Sequence, residues 1–117
     1  MNRVIAALMI AAFAPVSAAF AADASNGARI AAAKCAGCHG ATGAGDGVML
    51  ATLGVQVPPV PWTDKAKMAQ FTDQKLTDVI NNGGSALKAS PLMPAFKGQL
   101  SDADIADLVA YIRSLGK

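Results

Sequence analysis

The sequence predicts an all-α domain with long irregular loops. Three observations point there. Apolar residues recur at helical spacing behind good capping residues, no stretch alternates convincingly with period two, and the segments between are rich in glycine and proline. Structureless loops of this length inside a small domain need a physical reason, and enclosing a large group is one.

The chain has 117 residues, enough for one small domain. Asn2 and Arg3 give a short positive start, residues 4–15 are mostly apolar, and Ala19-Phe20-Ala21 is a small-x-small pattern. Residues 1–21 therefore read as a secretory signal peptide cut after Ala21, within two residues, leaving 22–117 as the single domain. The apolar run is short for a membrane span, so no membrane insertion is expected after cleavage. Loss of Arg3 leaves nine basic residues against eight aspartates and no glutamate. That balance provides neither the basic stripe that nucleic acid requires nor a polybasic membrane patch.

Ser25 or Asn26 is expected to cap a first helix running to about Lys34, with Ile30, Ala31 and Ala33 on its apolar side. Gly27 in this helix signals either close approach of another backbone or a frayed first turn. Residues 40–47, GATGAGDG, form a loop. No strand precedes it and no Gly-Lys-Ser/Thr follows, which argues against a nucleotide site. Residues 57–62, VPPVPW, are extended because each proline fixes its own φ and biases its predecessor away from helix. A short helix is expected near 64–69.

Thr72 caps the next helix, Asp73 suits the positive end of its dipole, and Leu76, Val79 and Ile80 form its stripe. Asn82-Gly83-Gly84 ends it, and Phe71 packs back as a staple. The last helix is capped by Ser101, has Asp102 and Asp104 in its first turn, and carries Ile105, Leu108, Val109 and Ile112 on one face. Tyr111 lies beside that face and Arg113 near the C-terminal end.

Both cysteines and the only histidine fall within KCAGCHG, residues 34–40. Cys35-Ala36-Gly37-Cys38-His39 fits C-x-x-C-H, the attachment signature of haem c. Two thiols three residues apart can each bond one vinyl arm of a porphyrin, and the adjacent histidine is then aimed at iron as its proximal ligand. A zinc site wants four ligands, and no second Cys/His cluster exists. A thiol-redox pair normally lies where a strand enters a helix, and no strand is visible. Residues 22–117 contain only Trp62, Phe71, Phe96 and Tyr111 as aromatics, so a cofactor is also a plausible filling for the core.

Iron's second axial position needs another donor. Met49 is close in sequence to His39, and Met68 reads as packing. Met93 lies in SPLMPAF between Pro91 and Pro94, which stiffen the backbone around a weak thioether ligand. It is the favoured distal ligand.

Together KCAGCHG, GAGDG, PPVPWTD, VINNGG, LMPAF and LSDADIADLVAYIRSL resemble a class I c-type cytochrome, in the family's order and over residues 27–115. The resemblance implies a cytochrome c fold, with three or more helices and long loops wrapped around one covalently bound haem c. It implies crossing first and last helices, with Gly27 facing Leu108, Tyr111 and Ile112. Relatives often carry an aromatic where this chain has Ala31, which suggests a looser crossing here. A carbonyl of Pro58, Pro59 or Pro61 would accept the proton on the ligand histidine's other nitrogen. Trp62 would donate to a haem propionate or cover the haem edge.

The expected function is periplasmic one-electron transport, with His39 and Met93 bound in both oxidation states and no enzymatic turnover. The alternatives are a subunit permanently bound to a periplasmic dehydrogenase or oxidase, an open-site haem protein, and a haem-free thiol-redox protein. Expected partners are redox donors and acceptors, with acidic surfaces docking weakly near Lys34, Lys88 and Lys97.

Overall fold

The computed structural model describes residues 10–11 and 21–117. The expected signal peptide, 1–21, lies outside the described residues except at three positions. The described chain forms six α-helices: α1 (Ala24–Lys34), α2 (Ala36–His39), α3 (Met49–Thr52), α4 (Lys65–Met68), α5 (Asp73–Asn82) and α6 (Asp102–Ser114). One 3-10 turn, Ser85–Leu87, follows α5. Among the described residues there is no strand, only an isolated bridge between Lys97 and Leu100. None of the described helices is long and apolar enough to cross a membrane.

The frame is the crossing of α1 and α6. α1 starts two or three residues earlier than its serine and asparagine suggest. Its N-cap is Asp23, whose Oδ1 accepts from the backbone N–H of Ser25 (2.9 Å) and of Asn26 (3.3 Å). The Ser25 hydroxyl donates to the same oxygen, so it supports the cap instead of forming it. Polar contacts then tie α1 to α6. Asn26 Nδ2 donates to Asp107 Oδ2 at 2.8 Å and to Asp104 Oδ1 at 3.2 Å, and the Asp23 N–H donates to Asp107 Oδ1 at 2.6 Å.

Gly27 is buried where the helices meet. A Cβ there would stand 2.6 Å from the Asp107 carbonyl carbon and 2.8 Å from Tyr111 Cβ, and nearer still to the Asp107 oxygen. Close approach, not a frayed turn, explains this glycine. Its nearest facing atoms belong to Asp107 and Tyr111, one residue away from the expected Leu108 contact. Ala31 is only 5 % exposed and lies in the core cluster with Ile30, Ile105, Leu108, Val109 and Ile112. The small side chain therefore leaves no opening to solvent.

α6 is capped as its sequence indicates. Ser101 Oγ accepts from the Asp104 N–H at 3.1 Å, and Asp104 Oδ2 accepts from the Ser101 N–H at 3.3 Å. α5 begins with Thr72 Oγ1 accepting from the Lys75 N–H. Leu76 and Ile80 enter the core, while half-buried Phe71 packs against it. Arg113 does more than complement the α6 dipole. Its guanidinium donates to the carbonyls of Met68 (2.8 Å) and Phe71, and to Asp73 Oδ1 at 2.7 Å. One side chain thus holds the α4–α5 connection against α6. Arg113→Ala is expected to lower stability by about 1–3 kcal/mol, measured by urea unfolding. Lysine should rescue little, because one ammonium lacks the fork that engages two carbonyls.

Candidate cofactor cavity

α1 hands directly over to the cysteine-histidine motif. Cys35 closes α1, its N–H donating to the Ala31 carbonyl at 2.9 Å, and α2 adds a single further turn. Within that turn the N–H groups of Cys38 and His39 both donate to the Cys35 carbonyl. The two thiols and the imidazole therefore share one short rigid unit.

The glycine-rich loop braces this unit from behind. The Gly45 N–H donates to the His39 carbonyl at 2.8 Å, and the Gly47 N–H donates to the Cys38 carbonyl at 3.1 Å. Two of the loop's amides are thus engaged by the motif, which counts against a phosphate cradle. At Gly37 a Cβ would lie 2.6 Å from Met49 Sδ. Met49, 48 % exposed, covers the motif from the rim.

Cys35, Cys38, His39 and Met93 line one cavity of about 670 Å³. Its other walls are mainly apolar and come from α3, the proline segment, α5, the Met93 loop and Ile112 of α6. A second cavity of about 160 Å³ adjoins it and shares His39, Val60, Trp62, Leu76, Val79 and Ala89. Pockets of roughly 300–1,000 Å³ with apolar walls and few polar groups suit sizeable organic ligands. Both cysteines are free thiols. Burial pushes the Cys35 thiol up to about 11. A thiol so reluctant to ionise is a poor redox nucleophile, which weighs against the thiol-redox reading.

His39 is half-buried, and burial pushes its imidazole down to about 4. The ring is therefore neutral at physiological pH, with a nitrogen lone pair to offer a metal. Its Nδ1 is sealed from solvent and has no hydrogen-bond partner. The expected hydrogen bond to a carbonyl of Pro58, Pro59 or Pro61 is not present in this structure. The Pro61 carbonyl accepts from the Asp64 N–H at 3.2 Å, and the Pro59 oxygen faces Gly45, only 2.5 Å from where a Cβ would be. Instead, the imidazole stacks on Trp62, with ring centroids 4.5 Å apart and planes 20° from parallel. Trp62 is 7 % exposed and is part of both the core and the cavity wall. An apolar cavity with two cysteines and a neutral imidazole on its wall fits a covalently attached haem.

Met93 enters the cavity from a loop fastened to the end of α5. The Gly84 N–H donates to the Met93 carbonyl at 3.0 Å, while the N–H groups of Phe96 and Lys97 donate to the carbonyls of Ile80 and Asn81. Gly84 is indispensable in this geometry. A Cβ would lie 2.9 Å from the Ser90 carbonyl carbon and 3.1 Å from Met93 Cβ. The sequence marks these glycines as a helix stop; their second task, seating the methionine loop, depends on residues well downstream. Gly84→Ala is expected to cost about 1–3 kcal/mol and to displace Met93. Thermal unfolding and the intensity of a sulfur-to-ferric-iron band would report the two effects separately.

Met68 is a buried core residue, as expected. Lys34 lies on the main cavity wall, whereas Lys88 and Lys97 are exposed near the Met93 loop.

Residues 24–116 match the family model described as cytochrome c. The chain is 37 % identical over 100 residues to cytochrome c6 of Picosynechococcus sp., covering 80 % of this chain and 74 % of that protein. It is 35 % identical over 105 residues to cytochrome c6 of Nostoc sp., covering 90 % and 80 % respectively. Among solved structures it resembles KustC0563 c-type cytochrome, with a TM-score of 0.61 at 24 % identity, covering 78 % of this chain and 98 % of that one. That likeness concerns the fold.

Proposed function

This chain belongs to the cytochrome c family, and from that premise we propose that it is an exported one-electron carrier with His39 and Met93 as axial ligands. Cys35 and Cys38 are the attachment points for its single haem c. Haem c supplies reversible one-electron exchange between ferrous and ferric iron.

The observation that supports this reading is the convergence of Cys35, Cys38, His39 and Met93 on one mainly apolar cavity. His39 offers a neutral donor on a rigid turn braced by the glycine loop. Met93 offers a soft, weak donor whose backbone is held by Gly84. With both positions filled, the protein transfers electrons without leaving a binding site for a reactant. Methionine ligation and an apolar wall favour the reduced state relative to bis-histidine ligation. Trp62, on the same wall, offers its indole N–H to a propionate.

Residues 1–21 direct export and are removed, and the carrier works in the periplasm as residues 22–117. Partners are redox proteins whose acidic surfaces approach Lys34, Lys88 and Lys97, all exposed. Such encounters are small and short-lived. The test is a potentiometric titration of the matured protein with optical detection. A reversible one-electron curve, a sulfur-to-ferric-iron charge-transfer band and transfer rates that fall with ionic strength are expected. An open-site spectrum that shifts on adding cyanide at low concentration would oppose the two-ligand reading. Rates indifferent to salt would oppose the lysine surface.

A further inference from the structure

We propose that Lys75 is the cation that pairs with a haem propionate, which makes the second cavity the propionate end of the cofactor site. The proposal rests on the reading that haem is attached at Cys35 and Cys38. Thioether bonds to those residues fix the vinyl arms of the porphyrin at the cysteine-histidine turn. The propionates leave the ring on the side away from the vinyl arms. A carboxylate held against apolar walls is costly unless a charge or hydrogen-bond donor meets it.

The two cavities differ in what they offer such a group. The main cavity holds both cysteines, and its one charged residue is Lys34, next to Cys35 in the chain. The second cavity touches neither cysteine, and its one charged residue is Lys75. No aspartate lines either cavity. Trp62, the proposed indole donor to a propionate, lines the same second cavity.

Lys75 is also uncommitted within the protein. Among the described residues the ion pairs are Lys67 with Asp64 and Arg113 with Asp73. Its neighbouring carboxylates are occupied: Asp73 accepts from Arg113, and Asp78 accepts from Gln74 at 2.8 Å. Lys75 is the third residue of α5, so its charge sits at the positive end of the helix dipole. Helix stability does not account for a cation there. Lys75 and Val79 lie one turn apart on α5, and both line the second cavity. The lysine stem can therefore follow the apolar wall while its exposed ammonium stays at the watery end.

The pairing has an electronic consequence. Reduction adds one negative charge to the haem, and a fixed cation nearby favours that state. Lys75 would thus raise the midpoint potential through the propionate.

The experiment uses matured, haem-loaded protein in the ferrous, diamagnetic state. Proton NMR is expected to show cross-relaxation between the Lys75 ε-methylene and a propionate methylene. Lys75→Gln is expected to shift that propionate's methylene resonances and lower the midpoint potential, and Lys75→Arg to stay near wild type in both. Lys67→Gln, which removes the same charge from an exposed pair, is expected to leave the propionate resonances in place. Absence of the Lys75 cross-peak, or its appearance at Lys34 instead, overturns the proposal. Equal falls in potential for Lys75→Gln and Lys67→Gln also overturn it, since net charge alone would then explain them. Wild-type protein without one attached haem would defeat the attachment reading itself, a result visible by mass before any variant is made.

Discussion

Met93→Ala keeps its covalently attached haem but loses the sulfur-to-ferric-iron band, and it becomes high-spin or recruits another ligand. The expectation follows from where the methionine is held. Pro91 and Pro94 stiffen the loop, and the Gly84 N–H fixes the Met93 carbonyl. A thioether binds weakly on its own, so on the proposed ligation the loop would contribute by keeping the sulfur at the cavity. Alanine retains that backbone and removes only the donor. The midpoint potential should fall by on the order of 0.1 V or more, within the ~0.8 V range that axial ligands span. Spectroelectrochemistry measures both changes on one sample. An unaltered spectrum would mean that another side chain occupies the sixth position.

Gly27→Val is expected to be the most damaging substitution away from the cavity. The atoms that a Cβ would meet are Asp107 backbone and Tyr111 Cβ, and no rotamer change moves them aside. The helices must separate, opening the cluster of Ile30, Ala31, Leu108 and Ile112. A cost of about 3 kcal/mol or more is expected, lowering the thermal midpoint by on the order of 10–20 °C. Because α1 ends at Cys35 and Ile112 of α6 lines the cavity, the opening should also loosen the haem environment. Gly27→Ala supplies the sharper control. Intrinsic helix propensity alone would make alanine stabilising by about 1 kcal/mol. A destabilised alanine variant therefore isolates the interhelical clash, whereas a stabilised one would contradict the close crossing.

The all-α class and the cysteine-histidine motif are legible because their signals are local. Thr72 and Ser101 cap the helices that follow them, and the apolar stripes of α5 and α6 are the faces that the core buries. The start of α1 is less legible because Asp23, Ser25 and Asn26 can all cap. Only the folded backbone assigns Asp23 as the acceptor and Ser25 as a donor to it. Gly27 raises the question of close approach, but the atoms it meets lie some eighty residues downstream.

The remaining features are non-local in the same sense. Arg113 reaches carbonyls of residues 68 and 71, which no helical pattern reveals. Gly84 ends α5 and also accommodates the Ser90–Met93 turn. The proline segment suggests acceptors for His39 because its carbonyls are free of helix bonding. In the fold, the Asp64 N–H claims the Pro61 carbonyl, and the following tryptophan reaches the imidazole face. Composition indicates that the interior needs a cofactor; it does not indicate which side chain stacks on the imidazole.

Intact mass spectrometry of the matured protein, followed by peptide mapping, tests the cofactor attachment most directly. The account requires a polypeptide of residues 22–117, within the cleavage tolerance, carrying the mass of one haem on the peptide that contains Cys35 and Cys38. A folded, colourless product from a host competent in cytochrome maturation, with two free thiols and no added mass, would contradict it.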